Sequence, residues 1–294
     1  MRQRVLILGY GALGAAFFRL YNARYEIRGL KRTSLPDNPC PLVLAPIRSE
    51  SLRPLAEWAE VIIFCPSSGR GGLASYRKTY LENMTFLISQ IGRQTSPLPT
   101  VILIGSTGVY PHTEEKTWRE DDPIPVETER QEILLRTEQA LIESPVPYAV
   151  LRSGGLYGLT RGYFYRYIRE GKIAASEMSD HWILSVHQDD LCGVIHQVIR
   201  RETHMETYNV VDDSNLRRRE LAQWISQEKG IPILPDGPAP PAPERHVSNQ
   251  KVKEDLGYAF QYPSVLQFLK RLKNPAPEER GLRSLRVFKN NLVL

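Results

Sequence analysis

The stretch that decides the fold is VLILGYGALG, residues 5–14. Its first half is typical of a short buried strand, and a helical stretch over 12–23 follows directly. In a GxGxxG turn the first glycine permits the tight bend and the second lets a pyrophosphate approach the backbone. The third glycine allows the helix to pack closely on the strand. The pattern therefore predicts a dinucleotide-binding turn made of Gly9, Tyr10, Gly11, Ala12, Leu13 and Gly14.

The same alternation of apolar runs and helical stretches continues through the first half of the chain. Continuous apolar strands separated by helices are typical of a parallel sheet that is covered on both faces. The sequence thus predicts an α/β fold, a Rossmann-type doubly wound parallel sheet that binds ligands beyond the carboxyl ends of its strands. After the first strand, further strands are predicted at 25–30, 42–46, 61–65, 100–106 and 148–154.

The alternation becomes less regular beyond residue 155, which predicts a second structural unit. Residues 1–155 are predicted to form the dinucleotide-binding domain, to which 182–205 return. Residues 156–181 and 206–273 are predicted to form a smaller C-terminal α/β lobe that binds substrate. The last stretch, 274–294, is predicted to be a C-terminal extension.

The end of the second predicted strand bears on the choice of dinucleotide. An NAD site has an acidic residue there, which binds the 2′-hydroxyl of the ribose. This chain has Lys31 and Arg32 instead. A guanidinium is suited to a 2′-phosphate, and the lysine adds a second positive charge. The sequence therefore favours NADP, with NAD as the alternative, and the cofactor contacts predicted after the fourth strand are Cys65, Pro66 and Ser67.

The charge, cysteine content and apolar runs of the chain limit the classes of binding partner that we expect. The net charge of +5 is spread along the 294 residues, so no nucleic-acid partner is expected. The three cysteines are far apart and lack metal-binding spacing, so no metal site is expected. No apolar run has the length of a membrane span, and the N-terminus does not resemble a signal peptide. We therefore expect no membrane partner and a cytoplasmic location, with a homo-oligomer left open.

An ordered set of motifs resembles one known family. These motifs are GYGALG (9–14), GSTGVYP (105–111), EDDPIPVE (120–127), LRSGGLYGLTRG (151–162) and VHQDDL (186–191). In this order they are similar to the extended short-chain dehydrogenase/reductases, the NAD(P)-dependent epimerase/dehydratase family. The resemblance covers nearly the whole chain except its last twenty or so residues. The GxGxxG spacing replaces the usual GxxGxxG of that family, which indicates an atypical branch.

The resemblance implies a role for Ser106, which follows the fifth predicted strand. In the family this hydroxyl binds the substrate oxygen, while the tyrosine of a YxxxK pair on the next helix transfers a proton. Here Arg130 stands at the tyrosine position and Leu134 at the lysine position. An arginine stays protonated, so it cannot take over the proton transfer. The candidate substitutes are Tyr110 and Tyr157, and Arg130 is a candidate for binding an anionic substrate or a cofactor phosphate.

Two further polar stretches are predicted to be structural. His187 lies where a strand meets a helix, a place where a histidine side chain commonly caps or bonds the backbone. Residues 120–122 are three consecutive acids and are predicted to form an exposed loop.

Two functions from different classes agree with these observations. The first is an NAD(P)-binding oxidoreductase or epimerase-like enzyme, NADP-dependent, with a rearranged proton-transfer site around Ser106. The second is a non-catalytic NADP-binding sensor or regulatory protein. No GxSxG elbow or phosphate-binding P-loop occurs, which disfavours hydrolysis and phosphate transfer. The expected partner is a small molecule, and Arg130 with the positive net charge favours an anion such as a sugar nucleotide or a carboxylate.

Overall fold

The computed structural model describes residues 2–273 except 36–37, 70, 93–96, 113–115, 160, 203, 215 and 238–244. Its strands are β1 (Gln3–Leu8), β2 (Tyr25–Lys31), β3 (Leu42–Leu44), β4 (Val61–Phe64), β5 (Thr100–Ser106), β6 (Lys116–Trp118), β7 (Tyr148–Ser153), β8 (Gly155–Tyr157), β9 (Ile173–Ala174), β10 (Ser185–His187), β11 (Glu206–Val210), β12 (Ile233–Leu234) and β13 (Arg245–Val247). Its helices are α1 (Ala12–Tyr21), α2 (Leu52–Trp58), α3 (Gly72–Arg77), α4 (Asn83–Ile91), α5 (Glu129–Ile142), α6 (Tyr163–Glu170), α7 (Gln188–Arg201), α8 (Arg218–Lys229), α9 (Gln250–Leu256) and α10 (Val265–Lys273).

Seven of these strands form one sheet in the order β11-β7-β5-β4-β1-β2-β3. Every neighbouring pair in the sheet is parallel. The strand order reverses between β1 and β4, which is the arrangement of a doubly wound sheet with its ligand crevice at the reversal. All four residues of β4 are buried because helices cover both faces of the sheet. The predicted Rossmann-type parallel sheet is therefore confirmed.

The two faces of the sheet are covered by different helices. Helices α1, α7 and α9 contribute to the buried cluster on one face, and α2, α4 and α5 to the cluster on the other. Asp190 of α7 ties the C-terminal segment to the first of these faces. Its carboxylate accepts hydrogen bonds from the hydroxyl of Tyr258 at 2.9 Å and from the backbone N–H groups of Gln261 and Tyr262 at 2.8 and 2.9 Å.

Two elements that the sequence placed in the substrate lobe pack with the main sheet instead. The strand expected in the substrate lobe at 207–212 is β11, which pairs with β7 at the edge of the main sheet. Helix α9 packs against both β11 and α7, so it also belongs to the sheet domain. The sequence placed this strand in the lobe because edge strands carry no signal of their partner. The core of the lobe comes from other elements and contains Tyr157, Tyr167, Ile173, Ile183, Leu221, Ala222, Ile225, Ile231, Val265, Phe268 and Leu269.

Two further expectations concern the C-terminal extension and membrane-spanning helices. The predicted extension at 274–294 lies outside the described residues. Among the helices of the described ranges, none combines the length and the apolar character that crossing a bilayer requires.

Candidate functional site

The glycine turn after β1 is held by two neighbouring strands. Gly9 has a φ of +87°, and a Cβ built there would lie 2.4 Å from Cα of Pro66. Any side chain would collide with the loop that follows β4. The backbone N–H groups of Gly9 and Tyr10 both donate to the carbonyl of Leu30, at 3.0 and 3.1 Å. The ends of β1, β2 and β4 therefore converge at this turn.

The N-terminus of α1 is open to a ligand. Gly11 is the N-cap residue and provides no side-chain cap, and the first turn carries no acidic residue. A Cβ at Gly11 would meet only the carbonyl oxygen of Gly9, at 3.8 Å. The first N–H groups of the helix thus have no side-chain partner, and the helix dipole favours an anion at this end. This geometry fits the pyrophosphate of a dinucleotide.

Two residues of the predicted turn serve packing. A Cβ at Gly14 would lie 2.9 Å from the ring of Tyr10. The Tyr10 side chain is 1% exposed and lies beneath α1, so it does not face a ligand. These positions contribute to the turn through their backbone and through the close approach of helix and strand.

A cleft of about 440 Å³ opens at the carboxyl ends of the central strands, in front of this turn. Helix α5 and the helical segment after β4 form its side walls. Of the predicted site residues, the cleft brings together Gly9, Gly11, Ala12, Leu13, Cys65, Pro66, Ser67 and Ser106. The residues that sequence reasoning missed include Tyr76, Tyr80, Thr137, Glu138, Ser153 and Arg161.

Ser106 is the last residue of β5 and caps the turn that follows. Its Oγ accepts a hydrogen bond from the backbone N–H of Gly108 at 3.0 Å. A serine hydroxyl can accept one bond and still donate its own hydrogen. The side chain therefore has a structural role and remains able to donate to a ligand in the cleft.

The α5 wall of the cleft lacks a phenol and an amine. Leu134 lines the cleft, and Arg130 lies one turn earlier with its guanidinium 5.3 Å from the ring centre of Tyr76. The only phenols among the described lining residues are those of Tyr76 and Tyr80, whose rings are 4.5 Å apart. Burial raises the pKa of Tyr76 to about 12 and raises that of Tyr80 as well. Both hydroxyls therefore stay protonated at neutral pH.

The structure does not bring the two tyrosines proposed as proton carriers to the cleft. Tyr110 is fully buried, and its hydroxyl donates to Oδ1 of Asn209 at 2.7 Å and accepts from Arg152 at 2.9 Å. The hydroxyl of Tyr157 donates to the carbonyl of Tyr262 at 3.1 Å, and its ring lines a second cavity. Burial raises the pKa of both phenols. Their proposed role is revised because their hydroxyls are engaged elsewhere.

Lys31 and Arg32 follow Leu30, the residue whose carbonyl holds the glycine turn. Neither side chain lines the cleft proper. Within the described parts of the chain, neither forms an ion pair with a carboxylate. Two cations thus stand at the β2 end of the crevice without a described acidic partner, where the adenosine half of a dinucleotide would lie.

A buried ion pair lies beneath the cleft. Arg152 of β7 donates from Nη2 and Nε to Oε2 of Glu138 on α5, at 2.9 and 3.1 Å. The two side chains are only 8% and 3% exposed. Burial raises the pKa of the Glu138 carboxyl, and the Arg152 guanidinium opposes that shift. The same arginine donates from Nη1 to the hydroxyl of Tyr110, so the pair belongs to a larger network.

Of the acidic stretch at 120–122, which the sequence predicts to be an exposed loop, Asp121 is exposed but Glu120 takes part in this network. Oε1 of Glu120 accepts the backbone N–H of Asn209 at 2.7 Å, and its carbonyl accepts from Arg152 at 3.1 Å. His187, by contrast, agrees with its structural role. Its Nδ1 accepts the backbone N–H of Asp189 at the start of α7, and burial lowers its pKa to about 4.

No protein-family model and no curated protein matches the chain, whereas solved structures do. A candidate NAD-dependent epimerase/dehydratase from Methylobacillus flagellatus is 25% identical, with a TM-score of 0.74 over 93% of this chain and 98% of that one. Among the solved structures similar to this chain are several epimerase or epimerase/dehydratase proteins. The human epimerase family protein SDR39U1 with NADPH is 19% identical, with a TM-score of 0.72 over 93% and 100%. MoeE5 with UDP-glucuronic acid and NAD is 16% identical, with a TM-score of 0.73 over 88% and 94%.

Replacing Glu138 by Gln should destabilise the fold. The variant leaves the Arg152 guanidinium buried without its counter-charge, which costs about 3–5 kcal/mol in the free energy of unfolding. Urea denaturation measures this loss. The matched control is Glu132→Gln on the same helix, which removes an exposed pair with Arg136 and should change stability by less than about 1 kcal/mol. Equal losses in the two variants would contradict a structural role for the buried pair.

Proposed function

We propose that this chain is an NAD(P)-binding oxidoreductase of the epimerase/dehydratase type that prefers NADP(H). The observation that carries the proposal is the open N-terminus of α1 at Gly11, which faces a cleft at the reversal point of a parallel sheet. This is where doubly wound sheets bind dinucleotides. The structural similarity to an epimerase family protein that contains NADPH supports the same assignment.

The cofactor would be held by residues from three strand ends. The turn from Gly9 to Gly14 would receive the pyrophosphate, with the N–H groups of α1 as donors. Cys65, Pro66 and Ser67 would lie along the dinucleotide, because they line the same cleft. Lys31 and Arg32 would bind the 2′-phosphate that distinguishes NADP from NAD. When bound, the cofactor supplies hydride transfer.

The reaction end of the cleft would work through Ser106. Its hydroxyl lines the cleft and retains a hydrogen to donate, so it would hold a substrate oxygen. Since Tyr110 and Tyr157 are engaged elsewhere, the phenols of Tyr76 and Tyr80 are the proposed proton donors. Their raised pKa keeps both phenols protonated at neutral pH, so they would donate a proton rather than accept one, and they would be weaker acids than a phenol with a pKa near neutrality.

The second candidate function is a non-catalytic sensor that binds NADP without turning over a substrate. It is favoured by the apolar side chain of Leu134, which lines the cleft where the resembled family has a lysine. A leucine can neither hold a ribose hydroxyl nor lower the pKa of a nearby phenol. Both functions share the cofactor site and differ at Ser106.

Replacing Gly11 by Val should abolish NADP binding while the protein stays folded. The new side chain would occupy the space through which the pyrophosphate approaches the helix. Calorimetric titration with NADP measures the loss, and thermal unfolding checks the fold. Gly92→Val, at the exposed end of α4 outside the cleft, is the control and should bind normally. A folded Gly11→Val protein that still binds NADP would show that the cofactor lies elsewhere.

Replacing Arg32 by Ala should weaken NADP binding by about 1.5–3 kcal/mol and leave NAD binding nearly unchanged. The reason is the loss of a charge-assisted bond to the 2′-phosphate, a group that NAD lacks. Calorimetry with both dinucleotides gives the difference. Arg28→Ala removes a positive charge from the same strand and serves as the control for long-range electrostatics. Equal losses for NADP and NAD would refute the assignment of Arg32.

Replacing Ser106 by Ala separates the enzyme from the sensor. The assay follows NADPH oxidation with a panel of sugar nucleotides and carbonyl-bearing carboxylates. For an enzyme, kcat should fall on the order of a hundredfold with a substrate from the panel, and Ser106→Thr should restore part of the rate because it keeps a hydroxyl. For a sensor, no member of the panel is turned over, and Ser106→Ala weakens the binding of NADP by roughly 0.5–1.5 kcal/mol.

A further inference from the structure

A second cavity of about 330 Å³ lies in the C-terminal lobe and adjoins the cleft. Leu156 and Arg161 line both spaces, so the two meet at these residues. The walls of the second cavity are mainly apolar and aromatic and include Tyr157, Phe164, Ile183, Leu221, Phe268 and Leu269. Its volume is at the lower end of the range for small-molecule pockets.

Arg161 stands at this junction, and no carboxylate of the described residues serves as its counter-charge. It is half-buried, and among the described residues its side chain makes no hydrogen bond and no ion pair. Burial lowers the pKa of its guanidinium, and no nearby carboxylate opposes that shift. Arg166, which lines the same cavity, differs because its Nη2 lies 2.6 Å from Oε2 of Glu177.

A half-buried cation without a partner is costly to keep, and an anionic ligand would remove that cost. The position of Arg161 sets where such an anion would lie, between the cleft and the apolar cavity. The planar guanidinium presents paired donors that match the oxygens of a carboxylate or a phosphate. Sequence reasoning assigned this role to Arg130, which instead lies over Tyr76 and does not line either space.

We infer that the substrate is a small organic anion with an apolar body, held with its carboxylate or phosphate on Arg161 and its body in the second cavity. This inference rests on the proposed function, because the anion then lies beside the cofactor cleft. The wall chemistry argues against a sugar nucleotide in this cavity. A sugar and a base carry many hydroxyl, carbonyl and amide groups, and an apolar wall would leave them without partners.

The test is calorimetry on the full chain with NADPH present. The probes are 3-phenylpropionate, 2-phenylethyl phosphate, the neutral 3-phenylpropan-1-ol and UDP-glucose. The variants are Arg161→Gln, which removes the charge, and Arg169→Gln, which removes an exposed charge from the nearby helix α6. Phe164→Ala opens the wall of the second cavity.

The wild type should bind one or both aromatic anions more tightly than the neutral alcohol and than UDP-glucose. In Arg161→Gln the affinity for the anion should fall by roughly tenfold or more, with the alcohol unaffected and Arg169→Gln equal to wild type. Phe164→Ala should weaken the anion and the alcohol alike. The relative affinity of the two anions identifies the head group as a carboxylate or a phosphate.

The inference is overturned if neither anion binds, if Arg161→Gln binds them as the wild type does, or if UDP-glucose binds more tightly. It is also overturned if Arg161→Gln loses NADPH affinity and keeps its anion affinity, since Arg161 would then belong to the cofactor. Titration of NADPH alone distinguishes these results from failure of the proposed function. If the wild type binds no NADPH, the proposed function fails whatever the anions do.

Discussion

The buried contact between Glu138 and Arg152 is the interaction on which the geometry of the cleft depends. It joins α5, one wall of the cleft, to β7, which forms part of its floor. Through Tyr110 it extends to Asn209 on the edge strand β11. A buried ion pair adds little net stability over an apolar contact, but the loss of one partner is costly. The pair therefore fixes the position of α5 against the sheet rather than simply adding to stability.

The two ends of the cleft differ in the residues that line them. At one end, the glycine turn packs against Pro66 and the helix that follows it has no side-chain cap. At the other end, Ser106 shares the described lining of the cleft with Leu134, with the phenols of Tyr76 and Tyr80 and with Glu138, which is paired with Arg152. The glycine turn thus has the features expected of a dinucleotide site, whereas the α5 wall offers neither a phenol nor an amine. This is why the distinction between enzyme and sensor depends on Ser106.

In the proposed function, the C-terminal lobe would supply the selectivity for the substrate. Its helices line an apolar cavity, and Arg161, which lies between β8 and α6, stands where that cavity meets the cleft. Arg166 and Arg218 of the lobe are both paired with Glu177. Arg161 differs from these two arginines, because no carboxylate of the described residues pairs with it. That arrangement would select a ligand by the combination of one anionic group and an apolar body.

The sequence by itself determined the elements whose signals are local. The glycine spacing predicted the turn at 9–14, and uninterrupted apolar runs predicted the parallel sheet, because a strand buried on both faces must be apolar throughout. Residues next to these signals, such as Pro66 and Ser106, followed from their place at strand ends. The tertiary structure decided everything that depends on pairing across the chain. It placed β11 at the sheet edge, paired Glu138 with Arg152 and withdrew Tyr110 and Tyr157 from the cleft. It also left Arg161 without an ion pair to any described carboxylate. A side chain's partner and its burial are set by which elements pack together, and no residue type or spacing encodes that packing.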